Sequence, residues 1–321
     1  MLQNFQGISI ANSIPDNINV TSFKEGDILI SNIRPYLKKV WQADRNGGCS
    51  ADVFVLKANN TICSDCFLHY LIANDTFINF VMSGAKGVKM PRGDKKQMVT
   101  YNMGIPHIKE QNKISRLLDL LNKRIVTQNK IIEDLKKLKV AIRDKAIALG
   151  IKKSVFKTLD SIADIYQPQT IPTSLLSEDA EYFVYGANGI IGKYTEYNHS
   201  ESQICIACRG NTCGTINFST AKSWITGNAM VVNTDQYSVI NKRYLYHYLS
   251  TINFNPLISG SGQPQIVRQP LAKLKIPTPS IEQQVGIVKV IDSFELKIEI
   301  EKKYLQSLLT QKVYLLSNMF I

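Results

Sequence analysis

The chain has 321 residues, 44% of them hydrophobic and 20% charged, with 38 Lys/Arg against 26 Asp/Glu for a net charge of +12. Those proportions suit a folded chain of two or more domains and exclude a disordered or collagen-like one. The apolar runs are short and interrupted, which argues against a membrane-spanning helix. The opening MLQNFQGISI has no basic stretch followed by an apolar one and so is not a secretory signal. A cytoplasmic location is expected, and the positive charge points to an anionic partner such as nucleic acid.

In chain order, GDILISNIR (26–34) reads as an alternating strand, followed by ADVFVLKAN as another and FLHYL (67–71) as a short helix with aromatic anchors. The glycine-containing loop SGAKGVKMPRGDKKQM (83–98) leads to Ile105-Pro106 and a long helix. The plan then recurs. VFKTLDSIADIYQPQ (155–169) and YGANGIIGKYTEY are followed by the strand SQICIACRG (202–210), then CGTINFS and NAMVVNTD. The short helix YLYHYL (244–249), the loop SGSGQPQIVRQPLAKL (259–274), Ile276-Pro277 and a second long helix complete it. Because the second copy opens with residues 155–169 and the first has no counterpart, the first domain is expected to be shortened at its N-terminus and to lack an edge strand or helix.

Both long helices carry heptad seams. The first runs through Ile114, Leu118, Leu121, Ile125, Gln128, Ile132, Leu135, Lys139, Ile142 and Ala146. The second runs through Ile287, Ile291, Phe294, Ile298, Glu301, Leu305, Leu308, Lys312, Leu315 and Met319. The two sets are offset by a constant 173 positions, as Ile114 to Ile287 shows, and their polar breaks coincide, Gln128 with Glu301 and Lys139 with Lys312. A stripe that long cannot be buried inside a small domain, so the two helices are expected to zip together antiparallel. Glu110-Gln111 and Glu282-Gln283 fall in the first turns, where a carboxylate suits the helix dipole. The fold class expected is therefore α+β: two β-rich domains separated by a long antiparallel two-helix coiled coil, with a pseudo-twofold internal repeat. The boundaries expected are 1–105, 106–150 (first long helix), 151–277 and 278–321 (second long helix).

This duplicated order closely resembles the specificity subunit of type I restriction–modification systems. The resemblance is carried by the two Ile-Pro…Glu-Gln passages, the heptad helices behind them and the β-rich domains before them. YGANGIIGKY, the ACRGNTCGTINFS stretch and SGSGQPQI look like the body of a target recognition domain. The resemblance implies a non-catalytic subunit whose two target recognition domains each read half of a bipartite DNA sequence in the major groove. It implies a helix pair that fixes the spacing of the halves and docks two methyltransferase (modification) subunits. S-adenosylmethionine, ATP and Mg would sit on those partners and on the restriction subunits; none is expected on this chain, and no membrane is involved. The shortened first domain leaves open whether both domains read DNA. Two alternatives stand beside this: a structural scaffold that no longer reads, and the recognition part of a fused restriction–methylation enzyme.

Candidate DNA contacts follow from residue chemistry. The first glycine loop holds Lys86, Lys89, Arg92, Lys95 and Lys96 against Asp94; lysines suit phosphate, and the arginine fork suits guanine. The second loop offers Gln263, Gln265 and Arg268, where glutamine suits adenine. The strand exits add Arg34, Tyr36, Lys38 and Lys39 in the first domain and Arg209 and Asn211 in the second, and the hairpin YGANGIIGKY adds Asn188 and Lys193. The plain alternative for each is a solvated loop or an ordinary hairpin. Residues 109–153 hold 13 Lys/Arg against 5 Asp/Glu, either a solvated face or a docking face.

No GxxxxGK[ST] sequence, no glycine-rich methyltransferase cofactor loop and no Asn/Asp-Pro-Pro-aromatic motif occurs, so an enzyme is not expected. His69, His107, His199 and His247 are scattered; His69 and His247 lie in matching short helices and read as packing residues. The CxxC pairs Cys63/Cys66 and Cys205/Cys208 have zinc-compatible spacing. The second pair sits in a strand where positions three apart face opposite ways, so buried reduced thiols and no metal site are expected.

Overall fold

The structure is a computed structural model that describes residues 1–9, 20–152, 154–260 and 262–320. Ser261 of the second glycine loop, Lys153 of the basic segment and Ile321 lie outside the described residues. The chain forms two compact units: Met1–Ile131 with Glu301–Ile321, and Ile132–Ile300.

The first unit is built on an antiparallel sheet in which strand Ile28–Ser31 lies between Val40–Gln42 and Val53–Leu56. Helix Asp65–Ile72 packs on it, started by the Ser64 hydroxyl accepting the Phe67 amide, a standard N-cap exchange for an orphan helix donor. Helix Asp75–Ser83 follows. Ile28, Ile30, Phe67, Phe77 and Ile78 form the core, and Ile114, Leu118 and Phe320 from the long helices complete it.

The second unit repeats the sheet with one more strand. Ile204–Ala207 lies between Ile216–Phe218 and Ala229–Asn233, and Asp164–Tyr166 pairs along the outer edge of the last. Each shared strand begins 176 positions after its counterpart (28 to 204, 40 to 216, 53 to 229). The register is the same too: Ile28 pairs with Gln42 and Leu56, and Ile204 with Phe218 and Val232. A separate strand, Lys275–Thr278, pairs with Val155–Thr158. Helix Lys242–Leu249 takes the place of Asp65–Ile72, capped by Asn241.

The middle strands do not alternate as expected. Ile204–Ala207 is buried at every position and Ile28–Ser31 at its first three. Each lies between two neighbouring strands and is covered on both faces: Ile204 and Ile206 face the main core while Cys205 faces a second cluster with Tyr185 and Ile225.

The long helices run Ile108–Ile151 and Ile281–Met319, about 66 and 58 Å at 1.5 Å per residue. Ile276-Pro277, expected to abut the second helix, lies instead within strand Lys275–Thr278. The helix begins after Ser280, whose hydroxyl accepts the Gln283 amide while the Gln283 side chain accepts the Ser280 amide; this reciprocal capping box satisfies two orphan donors. All fifteen apolar seam residues left when Ala146 and the polar positions are set aside are buried or half-buried. Ile114, Leu118, Leu121, Ile132, Ile291, Ile298 and Leu308 are buried; Ile125, Leu135, Ile142, Ile287, Phe294, Leu305, Leu315 and Met319 are half-buried. Within the first unit Gln128 donates to the Glu301 carboxylate at 2.5 Å, and Arg124 stacks over Tyr304. Within the second, Lys139 bonds Glu295 at 3.3 Å, and Gly150 lies where an added Cβ would meet Ile287 at 3.0 Å. The helices are therefore antiparallel within each unit, and the repeat-equivalent pair Gln128 and Glu301 meet each other. Lys139 and Lys312 differ: the first is ion-paired, whereas burial lowers the pKa of the second. Among the described residues no helix is long and apolar enough to cross a membrane.

Candidate nucleic-acid interface

In both units the turn that leaves the middle strand is stitched to the glycine loop. In the first, Arg34 takes a left-handed conformation (φ 50°) and its amide donates to the Pro91 carbonyl at 2.8 Å. Ile33 bridges to Arg92, and Lys86 and Arg92 exchange two backbone bonds of 2.9 Å. In the second, Arg209 bridges to Gln265, the Gly210 amide donates to Pro264 at 3.0 Å and the Ile266 amide to Cys208 at 3.1 Å. Gly210 has φ 77°, which a side chain would strain. The sequence leaves these two stretches some 55 residues apart in each copy (209 to 265 in the second); the fold makes them one surface.

On the first unit's surface Arg92 is exposed and lies 3.1 Å from Asp52, and Lys86 lies 3.3 Å from Asp94. Asp94 also caps the helix Lys95–Met98. Hydrogen bonds from the Lys96 amide and then Lys86 hold its carboxyl below the usual range. Lys89, Lys95 and Lys96 are exposed. Tyr36 is exposed. Lys38 points elsewhere: its ammonium sits 2.7 Å from Asp75 and over the Phe5 ring, so it ties helix Asp75–Ser83 to the strand exit. Lys39 contributes its carbonyl to Ser31. Sequence reading singled out the cations; it missed Asp52, which pairs with Arg92 from the turn just before strand Val53–Leu56.

On the second unit's surface Arg209, Asn211, Gln263 and Gln265 are exposed. Arg268 is exposed as well, and its Nε donates to the Ile165 carbonyl at 2.8 Å. The bridging counterpart of Arg92 is Gln265, not Arg268. Asn188 sits exposed in the turn between strands Tyr182–Gly186 and Gly189–Tyr194, and Lys193 lies over the Phe183 ring of that hairpin.

Below these surfaces, each unit anchors its long helix through one buried glutamine. Gln111 donates to the carbonyls of Ile62 and Pro106 and accepts the Ser64 amide. Gln284 does the same with Val239, Pro279 and Asn241. Both are fully buried. These are the true equivalents, 173 positions apart, so the match of Glu110-Gln111 to Glu282-Gln283 is out by one residue. The match of His69 to His247 also slips by one. Phe67 corresponds to Tyr244, both fully buried at the start of their helices, which sets Tyr70 against His247.

Tyr70 donates to Asp119 at 2.5 Å and accepts from Asn122 at 2.9 Å. His247 bonds Asp292 at 3.0 Å, and Arg243 bonds both Asp292 and Glu295. Burial lowers the His247 pKa, with Asp292 opposing. Burial works against the Asp292 carboxylate, but the bonds from Arg243 and His247 hold it below the usual range. His247, Asp292 and Glu295 are the one cluster with metal-ligand spacing among the described residues, and its two carboxylates are already paired with the Arg243 guanidinium and the Lys139 ammonium. Cys205 and Cys208 pack into different clusters. Burial raises both thiols, Cys205 to about 12, along with Cys63.

A duplicated α+β body, with a long helix locked to each sheet and a loop surface at each strand exit, defines a class of two-fold repeated binding proteins. The chain belongs to the type I restriction modification DNA specificity domain family, whose signature matches residues 2–137 and 151–310. It is 31% identical over 142 residues to a putative type I restriction enzyme specificity subunit of Haemophilus influenzae, a match covering 43% of this chain and 36% of that protein. It is 24% identical over 299 residues to the type I restriction enzyme MjaVIII specificity subunit of Methanocaldococcus jannaschii, covering 81% and 70%. The match to the Haemophilus relative, like the one to an Escherichia coli specificity subunit, spans about a third of the relative's length (36% and 35%). The fold is shared with the S subunit of a type I system from M. genitalium, at TM-score 0.64 and 18% identity over 94% of this chain and 84% of that one. It is also shared with the HsdS subunit of Thermoanaerobacter tengcongensis, at TM-score 0.52 and 18% identity over 93% and 81%.

Proposed function

We propose that this chain is the non-catalytic DNA-recognition subunit of a type I restriction–modification complex, and that each unit reads one half of a bipartite duplex target. The observation that carries the reading is the stitched strand-exit and glycine-loop surface, built twice with the same backbone bridges and different side chains. A shared frame with divergent exposed residues is what two readers of different half-sites require. In the first unit Lys89, Lys95 and Lys96 suit phosphate, while Arg92, braced by Asp52, suits guanine. In the second, Gln263 and Gln265 suit adenine and Arg209 suits guanine or phosphate.

The partners are two methyltransferase subunits, which carry S-adenosylmethionine, and restriction subunits, which use ATP and Mg. The paired helices set the spacer between half-sites, since residues in a helix convert to length at a fixed rate and B-DNA repeats every 34–36 Å or so. The test is site selection, in the presence of the methyltransferase, by a variant lacking one heptad from each long helix. The expected result is a changed spacer with unchanged half-sites. An unchanged spacer, or failure of the intact chain to select any bipartite site, overturns the reading.

A further inference from the structure

The turn that leaves the middle strand has the same backbone in both units but different residues. Arg34 and Gly210 are 176 positions apart, like the strands before them, and both are left-handed, with φ 50° and 77°. Each of their amides donates to a proline carbonyl of its own glycine loop, Pro91 in the first unit and Pro264 in the second. Glycine adopts that conformation freely, whereas an L side chain there is disfavoured. Arg34 is also followed by Pro35, whose ring pushes the residue before it toward extended backbone; Gly210 is followed by Asn211. Further backbone bonds hold the first turn against these preferences. The Leu37 amide donates to the Arg34 carbonyl at 2.9 Å, the Lys38 amide to Pro35 at 2.8 Å and the Gly93 amide to Asn32 at 3.1 Å.

The side chain adds a second cost. Arg34 is half-buried, and its Nε is shut away from water without a hydrogen-bond partner. A donor in that state has lost the bond that water would have given it. Nη1 and Nη2 are not enclosed in this way. The cations around it are already matched: Arg92 with Asp52 at 3.1 Å, Lys86 with Asp94 at 3.3 Å and Lys38 with Asp75 at 2.7 Å. Among the described residues no carboxylate or other acceptor pairs with the Arg34 guanidinium. No polar contact within the fold offsets an arginine at this position. Strain held without such an offset marks a position kept for binding.

We propose that Arg34 determines specificity at one base pair of the first unit's half-site, and that this pair presents a guanine to it in the major groove. With Nε enclosed, Nη1 and Nη2 remain to donate side by side, and two parallel donors match guanine O6 and N7. Half-burial and the multiply bonded turn restrict the stem, so the fork is set in place before DNA arrives. A lysine would offer one point charge and could not make the paired contact. In the second unit Gly210 fills the position without a side chain, so that unit has no equivalent contact. The inference rests on the DNA-recognition reading above and adds to it a residue, a base and a conformation that destabilises the free fold.

The test uses the full chain with the methyltransferase subunit proposed as its partner. Methylome sequencing gives the motif of the intact chain, and competition binding with duplexes altered at single base pairs gives the discrimination at each position. The intact chain is expected to lose binding about tenfold or more when one G·C pair of one half-site is replaced. Arg34→Gly and Arg34→Lys are each expected to reduce that discrimination to about twofold or less, with every other position unchanged. Urea unfolding followed by Trp41 in a Trp224→Phe background checks the fold. Arg34→Gly is expected to unfold at the same or a higher urea concentration, since it removes both costs. Earlier unfolding of Arg34→Gly makes the residue structural and overturns the proposal. Equal weakening on all duplexes assigns Arg34 to phosphate and also overturns it. A bipartite motif read identically by the intact chain and both variants overturns it while the DNA-recognition reading stands; no bipartite motif from the intact chain removes both.

Discussion

Gln284→Ala tests how each unit grips its long helix. The Gln284 amide group donates to Val239 at 3.1 Å and Pro279 at 2.8 Å, and its carbonyl accepts the Asn241 amide at 2.7 Å. Truncation strands all three backbone groups in a site that water does not reach. At about 1 kcal/mol net for each, the loss is about 3 kcal/mol before any cavity is counted. Gln111 makes three bonds of 2.7–2.9 Å to Ile62, Pro106 and Ser64, so Gln111→Ala is expected to cost the first unit a similar amount. Gln284→Glu keeps the shape and the acceptor but cannot donate to the two carbonyls, and should be no better than alanine at neutral pH. The two tryptophans separate the units: Trp41 lies in strand Val40–Gln42 of the first and Trp224 in strand Trp224–Ile225 of the second. Urea unfolding followed in Trp41→Phe and Trp224→Phe backgrounds therefore reports one unit at a time. Each alanine variant should shift the transition of its own unit by about 3 kcal/mol. A loss under about 1 kcal/mol in either refutes the assignment of these glutamines as anchors.

Three further outcomes are expected. Burial holds the His69 pKa down at about 4, against the opposing charge of Asp119 and with the aid of Lys312. The unfolded chain thus binds a proton there that the fold refuses; the stability is present above about pH 6.5 and is lost as pH falls toward 4, by about 3 kcal/mol at most. His69→Leu should flatten that part of the Trp41-monitored pH profile, and an unchanged slope would count against it. Asp292→Asn leaves Arg243 and His247 short of a carboxylate on the half-exposed face of the helix; calorimetry should register a loss of about 1–2 kcal/mol confined to the second unit. Replacing Lys89, Lys95 and Lys96 together by alanine should weaken binding to all duplexes alike and lower the salt slope by about 3, one for each phosphate lost; a change of sequence preference instead would assign them to bases.

The repeat was legible because strands and seams tolerate substitution within a type. Ile28 and Ile204, Val40 and Ile216, or Leu118 and Ile291 keep their chemistry, so order and spacing survive. The polar joints were not legible for the opposite reason. Tyr70 with Asp119 and Asn122, and His247 with Asp292, Glu295 and Arg243, do one mechanical job with unrelated side chains. The repeated Glu-Gln dipeptide drew attention to the wrong pair, because Gln111 matches Gln284 and not Gln283. The middle strands read as alternating because Ser31 and the cysteines look polar; burial on both faces shows that the thiols act as small apolar groups. Residue type could not show that the candidates Lys38 and Arg268 also make fixed contacts within the fold. Asp75 and the Ile165 carbonyl, which hold them, are distant in the chain.

The most direct measurement of the central claim is methylome sequencing of cells that express this chain with the methyltransferase subunit proposed as its partner, alongside a Gln263→Ala, Gln265→Ala variant. One bipartite methylated motif is expected, with the variant altered in one half-site while the other half and the spacer stay as they were. Methylation that follows no bipartite motif, or a motif indifferent to both substitutions, contradicts the assignment of the strand-exit and glycine-loop surface as the reader.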